Sequence, residues 1–267
     1  MRVAVLGSGS KGNSTIISSN GTSILIDAGL SGKETGIRLK RFGSRIEQIG
    51  GIFLTHEHGD HIRGAGPISR ASHTQIYATE GTYRGGAKRL GKLRRYNGIT
   101  PGEKIRLGAL EIESYALQHD SNEPVGYVID DGKYRVGYCT DTGMATALMA
   151  AKLSDCDLLI LEFNHDVGML KAGPYPPALQ DRIMSGTGHL SNVDAAAFLK
   201  RVKSSRLRAV IMAHMSETNN SAPIALGEAV RAVEGANIAL IAVGRDGMAS
   251  AIDLSQEILE AKAKSLT

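Results

Sequence analysis

With 267 residues, 42% of them hydrophobic, and no apolar run approaching the length of a membrane span, the chain is long enough to bury a large core. No Trp and only four Phe leave that core to Ile, Leu, Val, Ala and Met, which suits aliphatic strands covered by helices in an α/β fold. Two cysteines, Cys139 and Cys156, exclude a disulfide framework and a four-thiolate zinc site, and a net charge of +4 is too small to define a partner by itself.

The first residues enter a strand without a signal peptide's apolar region, which predicts a cytoplasmic protein. Strands are expected at 2–6 and 22–26, joined through Gly7-Ser8-Gly9-Ser10-Lys11-Gly12-Asn13-Ser14-Thr15. That loop either brings backbone N–H groups toward an anion or is simply a flexible turn, and it lacks the spacing of a P-loop. The second strand closes on Asp27-Ala28-Gly29, and a basic helix follows over 33–42. Asp27 either holds a nearby ligand imidazole in one tautomer or caps the next turn.

The stretch that organises the chain is 51–61, where Gly51-Ile52-Phe53-Leu54 reads as a buried strand emptying into Thr55-His56-Glu57-His58-Gly59-Asp60-His61. Imidazole nitrogens and carboxylate oxygens are ligands for a borderline divalent cation, and three His and one Asp within six positions at a strand mouth read as half of a metal site. A helix is expected at 62–72, a strand at 75–79, and a helix or loop at 84–95, where six basic residues occur without an acidic one. Strand-like alternation returns at 104–107, 110–117, 125–129 and 134–138, with Asp130-Asp131-Gly132 as a hairpin turn. His119 and Asp141 fall just past the ends of two of these strands.

A helix with Met144, Ala147, Leu148 and Ala151 on its apolar face should precede a buried strand at 157–161, which delivers Glu162 and His165. The 168–188 stretch reads as an irregular loop leading to Gly188-His189-Leu190-Ser191-Asn192. Ser191 and Asp194 cap a helix whose apolar face is Ala195, Phe198, Leu199 and Val202. Five more basic residues occupy 200–208; both basic clusters suit either a polyanion or plain solubility. A strand at 209–213 delivers His214, a helix presents Leu226, Ala229, Val230 and Val233, a strand spans 238–243, and the tail from Gln256 reads as a surface helix. No interdomain linker or fixed repeat interrupts the chain, so one domain over 1–267 is expected.

Seven of the eight histidines lie at strand ends or in Gly-flanked loops, leaving only His73 in an undistinguished place. Strand termini on one sheet edge can converge in space. The ordered set His56-x-His58-x-Asp60-His61, His119, Asp141 and His214 closely resembles the metallo-β-lactamase fold superfamily over nearly the whole chain. The resemblance implies a four-layer αββα sandwich. His56, His58 and His119 would then hold one metal, Asp60, His61 and His214 a second, with Asp141 bridging. Two divalent ions are implied, zinc first, with manganese or iron also suited to such donors. Glu162 together with Gly188-His189-Leu190-Ser191 resembles the tRNase Z and phosphodiesterase branch, which casts Asp60 and His189 as catalytic. The opening Gly/Ser loop, Asn164-His165-Asp166, the His189 segment and His214-Met215-Ser216-x-x-Asn219-Asn220 resemble the YycJ/WalJ group of bacterial proteins associated with nuclease activity. By that resemblance the expected function is dinuclear-metal hydrolysis of phosphodiesters, an exonuclease on nucleic acid with DNA favoured over RNA. Ser8, Ser10 and Asn13 are then candidates to line the phosphate path, and His165 and Glu162 to support the metals or touch substrate. The alternatives are a hydrolase of a small cyclic phosphodiester, thioester or lactone, or a scaffold without turnover. The chain departs from RNase J-type nucleases in leaving no room between Asp141 and His214 for their large insert. It also lacks an evident tRNA-binding arm, so a specific tRNA substrate is not expected.

Overall fold

The computed structural model describes residues 1–256 and 258. The first half runs β1 (Arg2–Gly7), β2 (Ser14–Ser19), β3 (Thr22–Ile26), α1 (Gly32–Arg41), β4 (Gly51–Phe53), α2 (Gly59–Ile62), α3 (Ala65–Ser72), β5 (Gln75–Thr79), α4 (Glu80–Leu90) and β6 (Tyr96–Ile99). The second runs β7 (Lys104–Leu107), β8 (Leu110–Ala116), β9 (Val125–Asp130), β10 (Arg135–Cys139), α5 (Ala147–Leu153), β11 (Leu158–Glu162), α6 (Val167–Ala172), α7 (Pro177–Met184), α8 (Asn192–Val202), β12 (Ala209–Ala213), α9 (Ala222–Ala232), β13 (Ala239–Ala242) and β14 (Ile252–Asp253). Among the described residues no helix is long and apolar enough to cross a membrane.

Two seven-stranded sheets result, ordered β14-β1-β2-β3-β4-β5-β6 and β13-β12-β11-β10-β9-β8-β7. Their facing sides share one apolar cluster, including Val3, Ile24, Ile26 and Phe53 from the first sheet and Tyr127, Val136, Ile160 and Ile211 from the second. A second cluster packs the first sheet's outer face against α1, α3 and α4 through Leu39, Ile68 and Leu90. A third packs the second sheet against α5, α8 and α9 through Met149, Phe198, Leu199 and Ala229. The layers are therefore helix, sheet, sheet, helix, as the resemblance implied. Each fully buried Leu, Ile or Phe contributes about 1.5–3 kcal/mol, and β4, β11 and β12, buried at every position, read as continuous apolar runs because both their faces are covered.

Strand direction fixes where the chemistry goes. β3, β4 and β5 are mutually parallel, as are β10, β11, β12 and β13, so their C-terminal ends share an edge within each sheet. β1 is antiparallel to β2, which is antiparallel to β3, and β8 and β10 flank β9 in the same way, so β1 and β8 point to those edges too. Ser8, Asp27, His56, His119, Asp141, Glu162 and His214 all lie at or just past these ends.

Several expected elements differ. β2 occupies a stretch partly read as loop, and β6 and β14 add edge strands. The helix expected at 62–72 is two helices, α2 and α3, because Gly64 leaves helical bonding to donate its N–H to Ala28 O at 2.7 Å. The 168–188 loop contains α6 and α7. The Thr146 hydroxyl accepts from Met149 N and starts α5 at Ala147; the helix buries Met149, Ala150 and Leu153, while Met144 and Leu148 are 53% and 46% exposed. α9 buries Ala225, Ala229 and Ala232 and leaves Val230 on the surface. The expected cap of α8 is present, Ser191 accepting from Asp194 N, above buried Ala195, Phe198, Leu199 and Val202. The surface helix expected from Gln256 falls on 257 and 259–267, outside the described residues.

Candidate metal centre

The site begins with three strand ends that turn sharply. Asp27, Asp141 and His214 have φ of 59°, 60° and 56°, in the left-handed region that branched and bulky residues avoid. Holding a non-Gly residue there costs about 1–3 kcal/mol, which the packed sheet edges must offset. The reward is direction, because each turn swings its side chain back across the sheet ends.

The loop after β4 is clamped by its neighbours. Asn13 N donates to Asp60 O at 2.7 Å, Gly29 N to Asn13 O at 2.8 Å and Ala28 N to His61 O at 2.8 Å. Gly29 lies so close to Asp60 that a Cβ would sit 1.6 Å from Asp60 O. Gly29→Ala is therefore expected to destabilise the protein by at least about 2–3 kcal/mol and to displace Asp60. Its urea midpoint should fall and its metal content should drop, and parental values in both would show that the interlock is dispensable.

Four imidazoles have Nδ1 anchored, which turns Nε2 toward the cluster. His61 Nδ1 donates to Asp27 Oδ2 (2.7 Å), His119 Nδ1 to Gly188 O (3.1 Å), His214 Nδ1 to Glu162 Oε1 (3.1 Å), and His56 Nδ1 to Thr55 Oγ1 (3.0 Å), whose own proton goes to Asp27. Each bond fixes the tautomer and leaves Nε2 with a lone pair, the form a metal needs. These Nε2 atoms converge with other donors. His119 Nε2 lies 3.3 Å from His58 Nδ1, His61 Nε2 lies 3.4 Å from Asp141 Oδ2 and 3.5 Å from Asp60 Oδ2, and His214 Nε2 lies 3.3 Å from Asp141 Oδ1.

These donors form overlapping groups: His56, His58 and His119; His56, His61 and Asp141; Asp60, His61 and His214; and Asp141, Glu162, His189 and His214. Asp141 thus joins the two ends of the cluster, one oxygen toward His61 and the other toward His214. His56 Nε2, Asp141 Oδ2 and His214 Nε2 are buried without a hydrogen-bond partner. Nitrogen and oxygen donors left orphaned across these linked groups fit divalent cations.

Charge gives the same answer. Asp27, Asp141 and Glu162 have side chains at most 3% accessible, so the cluster needs positive charge to balance them. In the metal-free protein protons supply it. Burial pulls His214 down, but Asp141, then Asp60 and Glu162, outweigh burial and push it up to about 10. His56 goes the other way, lowered well below its ordinary value by burial and then by His61, His119 and His58, so it is neutral and ready to ligate. Burial likewise lowers His119.

His189 occupies a different position. Its Nδ1 donates to Glu162 Oε1 at 2.8 Å, and Glu162 Oε2 accepts from Thr142 N at 3.1 Å. Burial would raise the Glu162 carboxyl and lower the His189 imidazole. The ion pair prevails over both, holding Glu162 below the carboxylate range and raising His189.

The other singled-out residues divide. Asn13 is buried and faces the ligands, its amide 3.2 Å from Asp60 Oδ2 and 2.9 Å from His61 Nε2. Ser8 Oγ accepts from His214 N at 2.6 Å, while Ser10 is exposed on the loop. His165 is buried, its Nδ1 lacks a partner, and it joins none of the donor groups. His73 is exposed at the C-cap of α3, away from the cluster. Sequence reasoning gave no role to Thr55, Asn164 or Gly29. Thr55 links Asp27 to His56, and Asn164 Nδ2 donates to His214 O at 3.0 Å. The position of Thr55 beside the His motif was the available signal.

The beta-lactamase superfamily domain matches residues 22–215 of the chain, a span that takes in this whole donor set. The chain belongs to that superfamily. It is 34% identical over 227 residues to the exodeoxyribonuclease YycJ of Bacillus anthracis, covering 84% of this chain and 86% of the relative. It is 35% identical over 225 residues to the exodeoxyribonuclease WalJ of Streptococcus pneumoniae, covering 82% and 83%. Among solved structures, the metallo-β-lactamase fold protein YhfI from Bacillus subtilis superposes with a TM-score of 0.72 at 18% identity, covering 94% of this chain and 98% of the other. That likeness is one of fold, and it agrees with the αββα layering described above.

Proposed function

We propose that this superfamily member is a metal-dependent hydrolase of nucleic-acid phosphodiesters, an exonuclease with DNA ahead of RNA as its substrate. The observation that carries the reading is a convergent donor shell with a carboxylate-held imidazole, His189, beside it. The exodeoxyribonuclease names of two relatives, each matched over more than four fifths of the chain, support the substrate class.

His56, His58 and His119 would hold one cation and Asp60, His61 and His214 the other, with Asp141 shared. When bound, such cations, zinc first and manganese or iron also suited to these donors, lower the pKa of water and neutralise phosphate charge. The remaining chemistry belongs to the chain. Asp60 keeps 24% of its side chain accessible and His189 20%, whereas the imidazoles of His61, His119 and His214 and the Asp141 carboxylate are at most 7% accessible. Asp60 therefore steers the attacking water or its proton from the open side. His189, with Nδ1 committed to Glu162, presents Nε2 to the phosphate and donates a proton there. Glu162 acts through His189 by fixing its tautomer and favouring its protonated form.

The test combines metal analysis of the purified protein with cleavage of end-labelled single- and double-stranded DNA and RNA. Two equivalents of divalent metal and stepwise shortening of DNA are expected. Chelation should lower Tm by roughly 10 °C, the size set by a ligand held near a thousand times its Kd. Metal-free protein with an unchanged Tm, or turnover confined to thioesters and lactones, would overturn the reading.

A further inference from the structure

The two basic clusters of the sequence have different fates in the fold. In the 200–208 cluster, Lys203 Nζ donates to Ala232 O, Arg206 pairs with Asp157, and Arg208 donates to Leu254 O and Gln256 O. Those three are engaged in holding the fold. In the 84–95 cluster Arg84 pairs with Glu80 and Arg94 contacts His73. Lys88, Arg89, Lys92 and Arg95 are exposed and form no ion pair among the described residues. Arg63, also exposed, likewise has no acidic partner there, and its Nη2 donates to Lys11 O at 2.5 Å.

Two of these free cations, Arg89 and Arg63, adjoin the donor loop. A Cβ on Gly59, which lies between His58 and Asp60, would meet Arg89 Nη1 at 2.9 Å and Cζ at 3.0 Å, so the guanidinium rests against that loop's backbone. Arg63 directly follows α2 and ties it to the Gly7–Asn13 loop, while Lys11 reaches Glu217 beyond His214 at 3.1 Å. Unpaired like charges on one face repel one another and weaken a compact fold, and a polyanion would relieve that repulsion. On the His189 side Arg182 is tied to Asp120.

We infer that Arg63, Arg89, Lys88 and Lys92 form the track that receives the phosphate backbone of a nucleic-acid strand beyond the phosphate being cleaved. The inference rests on the nucleic-acid reading above and adds to it a direction: the uncut strand leaves the metal loop over α2 and the C-terminal half of α4. Salt-sensitive binding follows, because each lysine or arginine on a phosphate displaces condensed counterions.

The test uses Lys88→Glu/Lys92→Glu, two exposed side chains, against Lys200→Glu/Arg201→Glu, a matched pair on α8. Fluorescence anisotropy with a labelled 20-nucleotide DNA should show at least tenfold weaker binding for the Lys88/Lys92 pair and a log K against log salt slope shallower by about one per lysine removed. Its kcat/KM on the oligonucleotide should fall at least tenfold more than its kcat/KM on bis(p-nitrophenyl) phosphate. The α8 pair should bind within twofold of the parent. A Lys88/Lys92 pair that binds like the parent, or that loses both substrates equally, overturns the track. A parent that hydrolyses the small ester but binds no oligonucleotide overturns the nucleic-acid reading itself.

Discussion

His58→Ala is expected to lower phosphodiester turnover on the order of 10³-fold or more, as is Asp60→Ala, with the fold of each intact. The two positions are chosen for their place in the loop. His61 would be a poor probe, because its ring is fully buried and its bond to Asp27 helps hold the sheet edge together. His58 is half-buried and anchors only through its neighbour His119, and the Asp60 side chain is 24% accessible, so neither truncation opens a cavity in the core. His58→Ala removes a donor from the group with His56 and His119 and should cost about one metal equivalent. Asp60→Ala removes a donor shared with His61 and His214 and frees the amide of Asn13. Circular dichroism and Tm within a few degrees of the parent, together with lost turnover, constitute the expected result. Turnover within a few fold of the parent in either variant would refute the assignment.

Most of the donor set was legible because the fold converts a local property into a global one. An apolar strand followed at once by His, Asp or Glu marks a parallel strand's C-terminal end, and such ends collect on one edge whatever the intervening chain does. The backbone turns at Asp27, Asp141 and His214 were not legible, since Asp and His only favour a positive φ and most of them in a chain do not adopt it. The roles of Ser8 and Asn13 were hidden for a related reason. A Gly-rich loop suggests openness, yet Asn13 is clamped through its backbone to Asp60 and Gly29 and turns its amide inward.

The helix errors have a plain cause. Residues 147–151 are Ala-Leu-Met-Ala-Ala, apolar around the whole helix, so periodicity does not choose a face; the Thr146 cap sets the start, and Met149 and Leu153 reach the core. For β2 a usable signal was present. Asn20-Gly21, with φ of 45° and 80°, is a two-residue hairpin turn that pairs Ser19 with Thr22. The Ser and Thr residues flanking Ile16 and Ile17 put the start of the strand, Ser14 and Thr15, into the expected loop, although its interior side chains are buried.

His189→Ala is expected to retain near-parental metal content while phosphodiester cleavage slows by about 10²–10⁴-fold, the usual contribution of a positioned general acid. The geometry permits another outcome, since His189 Nδ1 lies 3.8 Å from Asp141 Oδ1 and within the donor group of Asp141, Glu162 and His214. Loss of a metal equivalent would make it a ligand. Its bond to Glu162 argues against that, because an Nδ1–H donated at 2.8 Å is not a lone pair offered to a cation. The leaving group separates proton donation from simple hydrogen bonding. A nucleotide alkoxide needs a proton as it departs, whereas a p-nitrophenolate is stable without one. If His189 is the acid, His189→Ala should lose far more on a dinucleotide than on bis(p-nitrophenyl) phosphate; equal losses would leave it only a phosphate contact. Glu162→Gln should fall in the same direction by a smaller factor, since the amide keeps Glu162's size but no longer stabilises the imidazolium. Combining it with His189→Ala should add only what passes through His214, whose Nδ1 also donates to Glu162 Oε1 at 3.1 Å.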